Sequence, residues 1–244
     1  MPSLTCFNRR FTPDWRMTIL ALLALLFFSR LGFWQLERGA EKKQMLLNQA
    51  VLSKSPALAW QSDMVLPKQY QPLLLKGEYL PAILLLDNQH YQHQFGYHVL
   101  TPLQLSSGSV VLIDRGWLAG EPTRQRLPKV DIPIGVIHLR GDAYYPSEKN
   151  WVLGPDYEQK EANVTIVERI DTKLIGQFLH KSVYPFIIRL DKDDARGYVR
   201  EWAVVAMPPE RHYAYALQWF AIAFVILILF IALNLKKTYE NGSA

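Results

Sequence analysis

The sequence predicts an α+β membrane protein in which two transmembrane α-helices bracket a β-rich extracytoplasmic domain, antiparallel and barrel-like or sandwich in arrangement. Three observations carry this prediction. Near the C-terminus, Tyr213 to Leu235 is a run of 23 residues without a charge, and a second apolar run opens at Met17. Between them, short runs rich in Val, Ile and Tyr alternate with turn sequences. The formal net charge is +5, yet residues 37–211 hold 21 Lys and Arg against 20 Asp and Glu, so the excess lies at the two ends.

Residues 1–16 are a short basic leader with Arg9, Arg10 and Arg16. Residues 17–36 form the first expected span. Its uncharged core, Met17 to Ser29, is 13 residues long, a length that also suits a signal peptide. Continuing through LGFWQL to Leu36 gives 20 residues and about 30 Å of helix, with Arg30 near enough to the far interface to snorkel. No A-x-A-like site follows, and Phe33 with Trp34 reads as an interfacial aromatic belt, so a retained anchor is expected. The second expected span is 212–235, where Tyr213 to Leu235 makes roughly 34 Å of helix.

Arg9, Arg10, Arg16, Lys236 and Lys237 flank the outer ends of the two spans. The positive-inside rule therefore places residues 1–16 and 236–244 in the cytoplasm and exports the domain 37–211. A leader of 16 residues is too short to show a convincing mitochondrial presequence, so a multi-pass protein of the bacterial inner (plasma) membrane with a periplasmic domain is expected. The pI near 9.2 then reflects topological signals in a lipid bilayer, and no nucleic-acid partner is expected.

Within the domain, strands are expected over Gln71–Tyr79, Ala82–Asp87, Gly96–Leu105, Ser109–Leu118, Val136–Tyr145, Val164–Ile170, Val183–Leu190 and Val199–Ala206. Turn signals such as SSGS, GEPT and DKDDARG separate them. Two helical stretches interrupt the strands. Glu37–Leu52 is expected to continue the first span as a polar stalk, and Asp171–His180 opens with a good N-cap residue and carries Leu174, Phe178 and Leu179 on one face.

The sole cysteine, Cys6, precedes the first span, so the domain has neither a disulfide nor a thiolate ligand. Without C-x-x-C or C-x-x-C-H, thiol redox chemistry, thiolate copper carriage and covalent haem attachment are excluded. Motifs for serine hydrolases, zinc proteases, P-loops and dinucleotide sites are missing, and no enzyme is expected. His90, His93 and His98 read as solvated histidines of a hairpin turn running into a strand.

The informative segments are the junctions between spans and domain, LGFWQLERGAEKK and PPERHYAYALQWFAIA. On a helix, His212, Tyr215 and Trp219 share one stripe over about two turns. Such a stripe serves either as an interfacial belt or as a site in which a neutral imidazole ligates iron and aromatics flank a flat macrocycle. Spacing alone fits the belt better. Arg115 and Trp117, in VVLIDRGWL, are expected on one face of a strand beside Gly116. There they either contact a ligand or partner or pack against the domain itself.

The junctions and two internal blocks resemble the surfeit locus protein 1 family, membrane-anchored factors for the biogenesis of haem-copper cytochrome c oxidase. Leu31, Gly32, Trp34, Gln35 and Arg38 are similar to its first block, and Gly96, Tyr97, Val99, Thr101, Pro102 and Leu103 to its central block. Arg115, Gly116 and Trp117 match its RGW strand end, and His212, Tyr215, Ala216, Trp219 and Phe220 the block opening its last span. Asparagines often precede that histidine in the family, whereas Pro209, Glu210 and Arg211 do so here.

The resemblance implies a chaperone that binds haem a as transient cargo and assists its insertion into oxidase subunit I, with that subunit and the haem a synthesis machinery as partners. His212 becomes the candidate iron ligand. Tyr215, Trp219 and Trp34 are expected to line the site, and Arg115 and Trp117 are further candidates. Arg38 and Arg211, at the two membrane junctions, would either meet the haem propionates or serve as ordinary interfacial arginines. The rival reading is a protein-only scaffold that stabilises subunit I without haem, and a membrane-tethered hydrolase, lacking a nucleophile and base, ranks behind it.

Overall fold

The computed structural model describes residues 4–6, 9–147 and 157–237, so the expected C-terminal segment from residue 238 onward lies outside the described residues. In chain order the elements begin with β1 (Leu4–Cys6), β2 (Arg9–Phe11), α1 (Trp15–Leu52), β3 (Leu58–Ala59), β4 (Pro72–Tyr79), β5 (Ile83–Tyr91), β6 (Gln94–Leu105) and β7 (Val110–Ala119). There follow β8 (Val136–Tyr144), β9 (Tyr157–Gln159), β10 (Val164–Val167), α2 (Thr172–Leu179), β11 (Val183–Leu190), α3 (Pro209–Asn234) and β12 (Leu235–Lys237). They form two compact units, Met1–Leu47 with Val204–Ala244, and Asn48–Ala203.

The helical unit rests on α1 and α3. Helix α1 has no proline, few β-branched residues and many Leu and Ala, and it runs unbroken for 38 residues through the stretch expected to be a stalk. Helix α3 starts where Pro209 sits at its first position, with Glu210 placed to interact with the positive end of the helix dipole. Both helices are long and apolar enough to cross a membrane. Small residues bring them together. Gly32 and Gly39 are buried on α1, as are Ala216 and Ala223 on α3, each pair two turns apart on one face. A Cβ on Gly32 would stand 2.6 Å from the Phe220 ring, and one on Gly39 2.5 Å from that of Tyr213.

The ends of the chain add a feature the sequence did not suggest. Strand β2 pairs antiparallel with both β1 and β12, making a three-stranded sheet beside the end of α3. Asn234 Nδ2 donates to the Phe230 carbonyl, and the Asn234 carbonyl accepts from Thr12 N at 3.0 Å, which closes the end of the helix.

The other unit is built on one nine-stranded sheet, ordered β3-β4-β8-β11-β7-β6-β5-β10-β9, with a further pairing of β4 to β6. The sheet is mixed. The expected antiparallel pairing holds for β4–β8, β8–β11, β4–β6, β5–β6 and β6–β7, but β3–β4, β5–β10 and β7–β11 are parallel. Parallel neighbours need long connections, so no short turn sequence announces them. One face packs Leu73, Leu103, Ile113, Phe186 and Ile188 with Trp60 into the main core. The opposite face packs Leu84, Leu100, Leu112 and Ile187 under Ile175 of α2. Each such side chain stabilises the fold by about 1.5–3 kcal/mol when fully buried. Helix α2 is held over that face by Asp171, whose side chain accepts from Lys173 N and Leu174 N.

Two expectations fail here. Val199–Ala206 is not a strand; it touches the sheet only where Val199 pairs with Trp117. Strand β11 already occupies that edge of β7 as far as Asp114, so only the last residues of β7 remain open to it. Arg115 and Trp117 also do not share a face. Leu100 pairs with Asp114 and His98 with Trp117, so Arg115 and Gly116 together oppose Val99 in a β-bulge that shifts the alternation by one. Gly116 makes the bulge possible with φ +105°, and a Cβ there would lie 2.6 Å from the Val199 carbonyl oxygen.

Candidate functional site

The site begins with His212, in the first turn of α3, whose ring turns towards α1. Its Nδ1 lies 2.8 Å from Oε1 of Gln35 on the facing helix, and its Nε2 is buried with no hydrogen-bond partner. Gln35 lies on the α1 face marked by Gly32 and Gly39, which lets the two backbones approach closely enough for the contact. Below it on α3, Trp219 stacks on Phe28 with ring centroids 5.7 Å apart, and Phe220 meets Phe33 edge-on at 5.3 Å. His212 and Trp219 therefore both address α1, whereas Tyr215, on the flank of the same stripe, is exposed.

Trp34 is exposed on α1. Arg38 pairs through Nη1 with Glu41 Oε2 of its own helix at 2.6 Å, both side chains nearly half exposed. Arg211 is exposed beside His212 in the first turn of α3. The helical unit thus gathers a histidine, flat aromatic surfaces and two arginines along the start of α3 and the middle of α1. Arg115 and Trp117 belong to the sheet unit.

Arg115 is buried, with Nε donating to the Arg196 carbonyl at 2.9 Å and Nη1 to that of Asp131 at 2.7 Å. Its guanidinium also lies over the rings of Tyr79 and Tyr198. Burial pushes the Tyr79 phenol up to about 12, against the pull of the Arg115 charge. Trp117 is buried too, donating from Nε1 to the Gln89 carbonyl at 3.2 Å and packing against Tyr91. Both side chains spend their directed groups within the sheet unit.

The three clustered histidines do not converge. His90 packs on Phe95, His93 occupies the β5–β6 turn with φ 64°, and His98 is held by Asp114, Nδ1 to Oδ2 3.0 Å. His98 is thus a partly buried strand residue and not the solvated one expected. The register is the reason, because Asp114 pairs with Leu100, which shares a face of β6 with His98, and its carboxylate also accepts from Gly116 N. Sequence reasoning missed Asp114 and Gln35 as partners. Asp114 was signalled only by a carboxylate inside the apolar run VVLID, and Gln35 by its place between two glycines on one helix face.

Comparison with known proteins bears on the same segments. The SURF1 family profile matches residues 22–224, from α1 into α3. A SURF1-like protein of Rickettsia felis is 27% identical over 235 residues, covering 88% of this chain and 96% of that protein. The SURF1-like protein of Rickettsia conorii is 26% identical over 231 residues, covering 88% and 90%. That of Rickettsia bellii is 33% identical over 109 residues, 43% of each chain.

Proposed function

The chain belongs to the SURF1 family, and from that premise we propose that it is an assembly factor for haem-copper cytochrome c oxidase that carries haem a for insertion into subunit I. The observation that supports this reading is the His212 ring, anchored through Nδ1 while its buried Nε2 has no partner. An imidazole nitrogen left without a hydrogen bond is costly unless it serves something else, and an unprotonated one is an axial ligand for haem iron. The residues present fit the cargo. His212 would hold the iron, and Trp219, Tyr215 and Trp34 offer flat apolar surface for the macrocycle. The hydrophobic tail of haem a favours a site open to lipid between spanning helices. Arg211 is the stronger candidate for a propionate, because Arg38 shares its charge with Glu41.

In this reading the protein does not transform its cargo and is not an enzyme. It sits in the bacterial inner membrane with both termini cytoplasmic and the sheet unit periplasmic, close to subunit I and the haem a synthesis machinery. The ring of pairings β4-β8-β11-β7-β6-β4 supports a barrel-like closure of the sheet.

One observation favours the second reading, a protein-only scaffold: Nε2 is shut off by its surroundings, so loading requires side chains to move. Oxidase purified from a strain lacking this protein, complemented with wild type or His212→Ala, separates the two. A carrier predicts that the mutant oxidase is depleted in haem a relative to subunit I protein. Equal haem content in both would leave the scaffold.

A further inference from the structure

We propose that Gln35 is a positioning residue that fixes the tautomer and direction of the His212 ring, so that Nε2 is presented unprotonated to iron; the proposal rests on the reading of His212 as the ligand. The carboxamide oxygen can only accept, so at 2.8 Å from Oε1 the ring nitrogen Nδ1 carries the proton. A neutral imidazole then has its lone pair on Nε2. The surroundings of Nε2 favour the same assignment. That nitrogen is buried without a partner, so a proton placed on it would have no acceptor.

The contact is also mechanically well supported. Gln35 and His212 stand on two helices locked by ring contacts on either side, Tyr213 against Gly39 and Phe220 against Gly32. Neither helix can turn about its axis without breaking these contacts, so the ring is held in one orientation before any cargo arrives. The residue type suits a carrier. Ligating histidines commonly donate their second N–H to a carboxylate or carbonyl, and a carboxylate partner makes the ring more basic and the metal bond stronger. A neutral amide fixes direction with less of that strengthening, and adds no charge where the spans approach lipid. Iron held this way is oriented but releasable.

The test is nitrogen NMR of detergent-solubilised full-length protein labelled with ¹⁵N-histidine, with His212→Ala identifying the signals, followed by titration with ferric haem a. The wild type should show His212 protonated at Nδ1 and bare at Nε2. Gln35→Leu should lose this preference and bind haem a about 10- to 100-fold more weakly with an altered axial-ligand spectrum. Gln35→Glu, which keeps the acceptor, should retain the tautomer and bind at least as tightly as wild type, and it separates loss of the contact from loss of folding. An unchanged tautomer in Gln35→Leu, or Nε2 protonated in the wild type, overturns the positioning role. A tautomer that follows Gln35 while wild type, Gln35→Leu and His212→Ala bind haem a alike overturns the ligand reading of His212 instead.

Discussion

Tyr79 and Arg115 show how closely the polar groups of the sheet unit depend on one another. The Arg115 guanidinium is clamped by two carbonyls and covers the Tyr79 ring, while the Tyr79 hydroxyl is buried without a hydrogen-bond partner. Burial raises this phenol from its usual 10.0 to about 12, so the folded chain keeps a proton that the unfolded chain releases. Stability contributed by Tyr79 is therefore complete below about pH 10 and is lost as pH rises towards 12. Thermal melts across that window should show Tyr79→Phe losing stability less steeply than wild type. Parallel curves would contradict the assignment. The same logic runs the other way at Asp194. Burial is the largest single influence and tends to raise its carboxyl, but the hydrogen bonds and charge of Arg196, with the charge of Arg200, together hold it below the usual carboxylate range. That contribution is present at neutral pH and fades on acidification.

Among the elements, β7 carries the most specific geometry. The bulge at Arg115 and Gly116 sends Arg115 to the opposite face from Trp117 and leaves the strand end free to pair with Val199. Gly116→Ala combines a left-handed backbone position with a Cβ 2.6 Å from the Val199 carbonyl oxygen, and should cost about 1–3 kcal/mol or more in chemical denaturation of the full-length protein. A loss below about 0.5 kcal/mol would mean that the bulge is not fixed by this residue.

Much of this architecture was legible in the residues, for physical reasons that also explain the failures. Strands such as β4, β6, β7, β8 and β11 are declared by local apolar runs bounded by turns, and α2 by its Asp171 cap. Parallel partners and bulges are decided by contacts distant in sequence, so neither the β5–β10 pairing nor the split of Arg115 from Trp117 has a local signature. In the candidate site, His212 and Trp219 were legible from helical spacing. The partner of His212 was not, because choosing Gln35 from its neighbours requires knowing which face of α1 meets α3.

For the whole molecule, the account turns on which side of the membrane each unit occupies. The charge at the chain ends predicts cytoplasmic termini and an exported sheet unit. Cys6 is the only cysteine, which makes this directly measurable. A membrane-impermeant maleimide applied to spheroplasts should label Ser106→Cys, in the exposed β6–β7 turn, at once. Cys6 should react only after the membrane is permeabilised. Labelling in the reverse order would invert the topology and remove the periplasmic reading. Two long apolar helices meeting through small residues, with a histidine in their contact, make sense as a carrier only if that contact is embedded where haem a and subunit I are both within reach.

The most direct test of that claim is the absorption spectrum of the detergent-purified protein, wild type beside His212→Ala, after co-expression with the haem a synthesis pathway. The account predicts a haem a spectrum in the wild type that is lost or shifted in His212→Ala. A colourless wild type from membranes that contain haem a would contradict it.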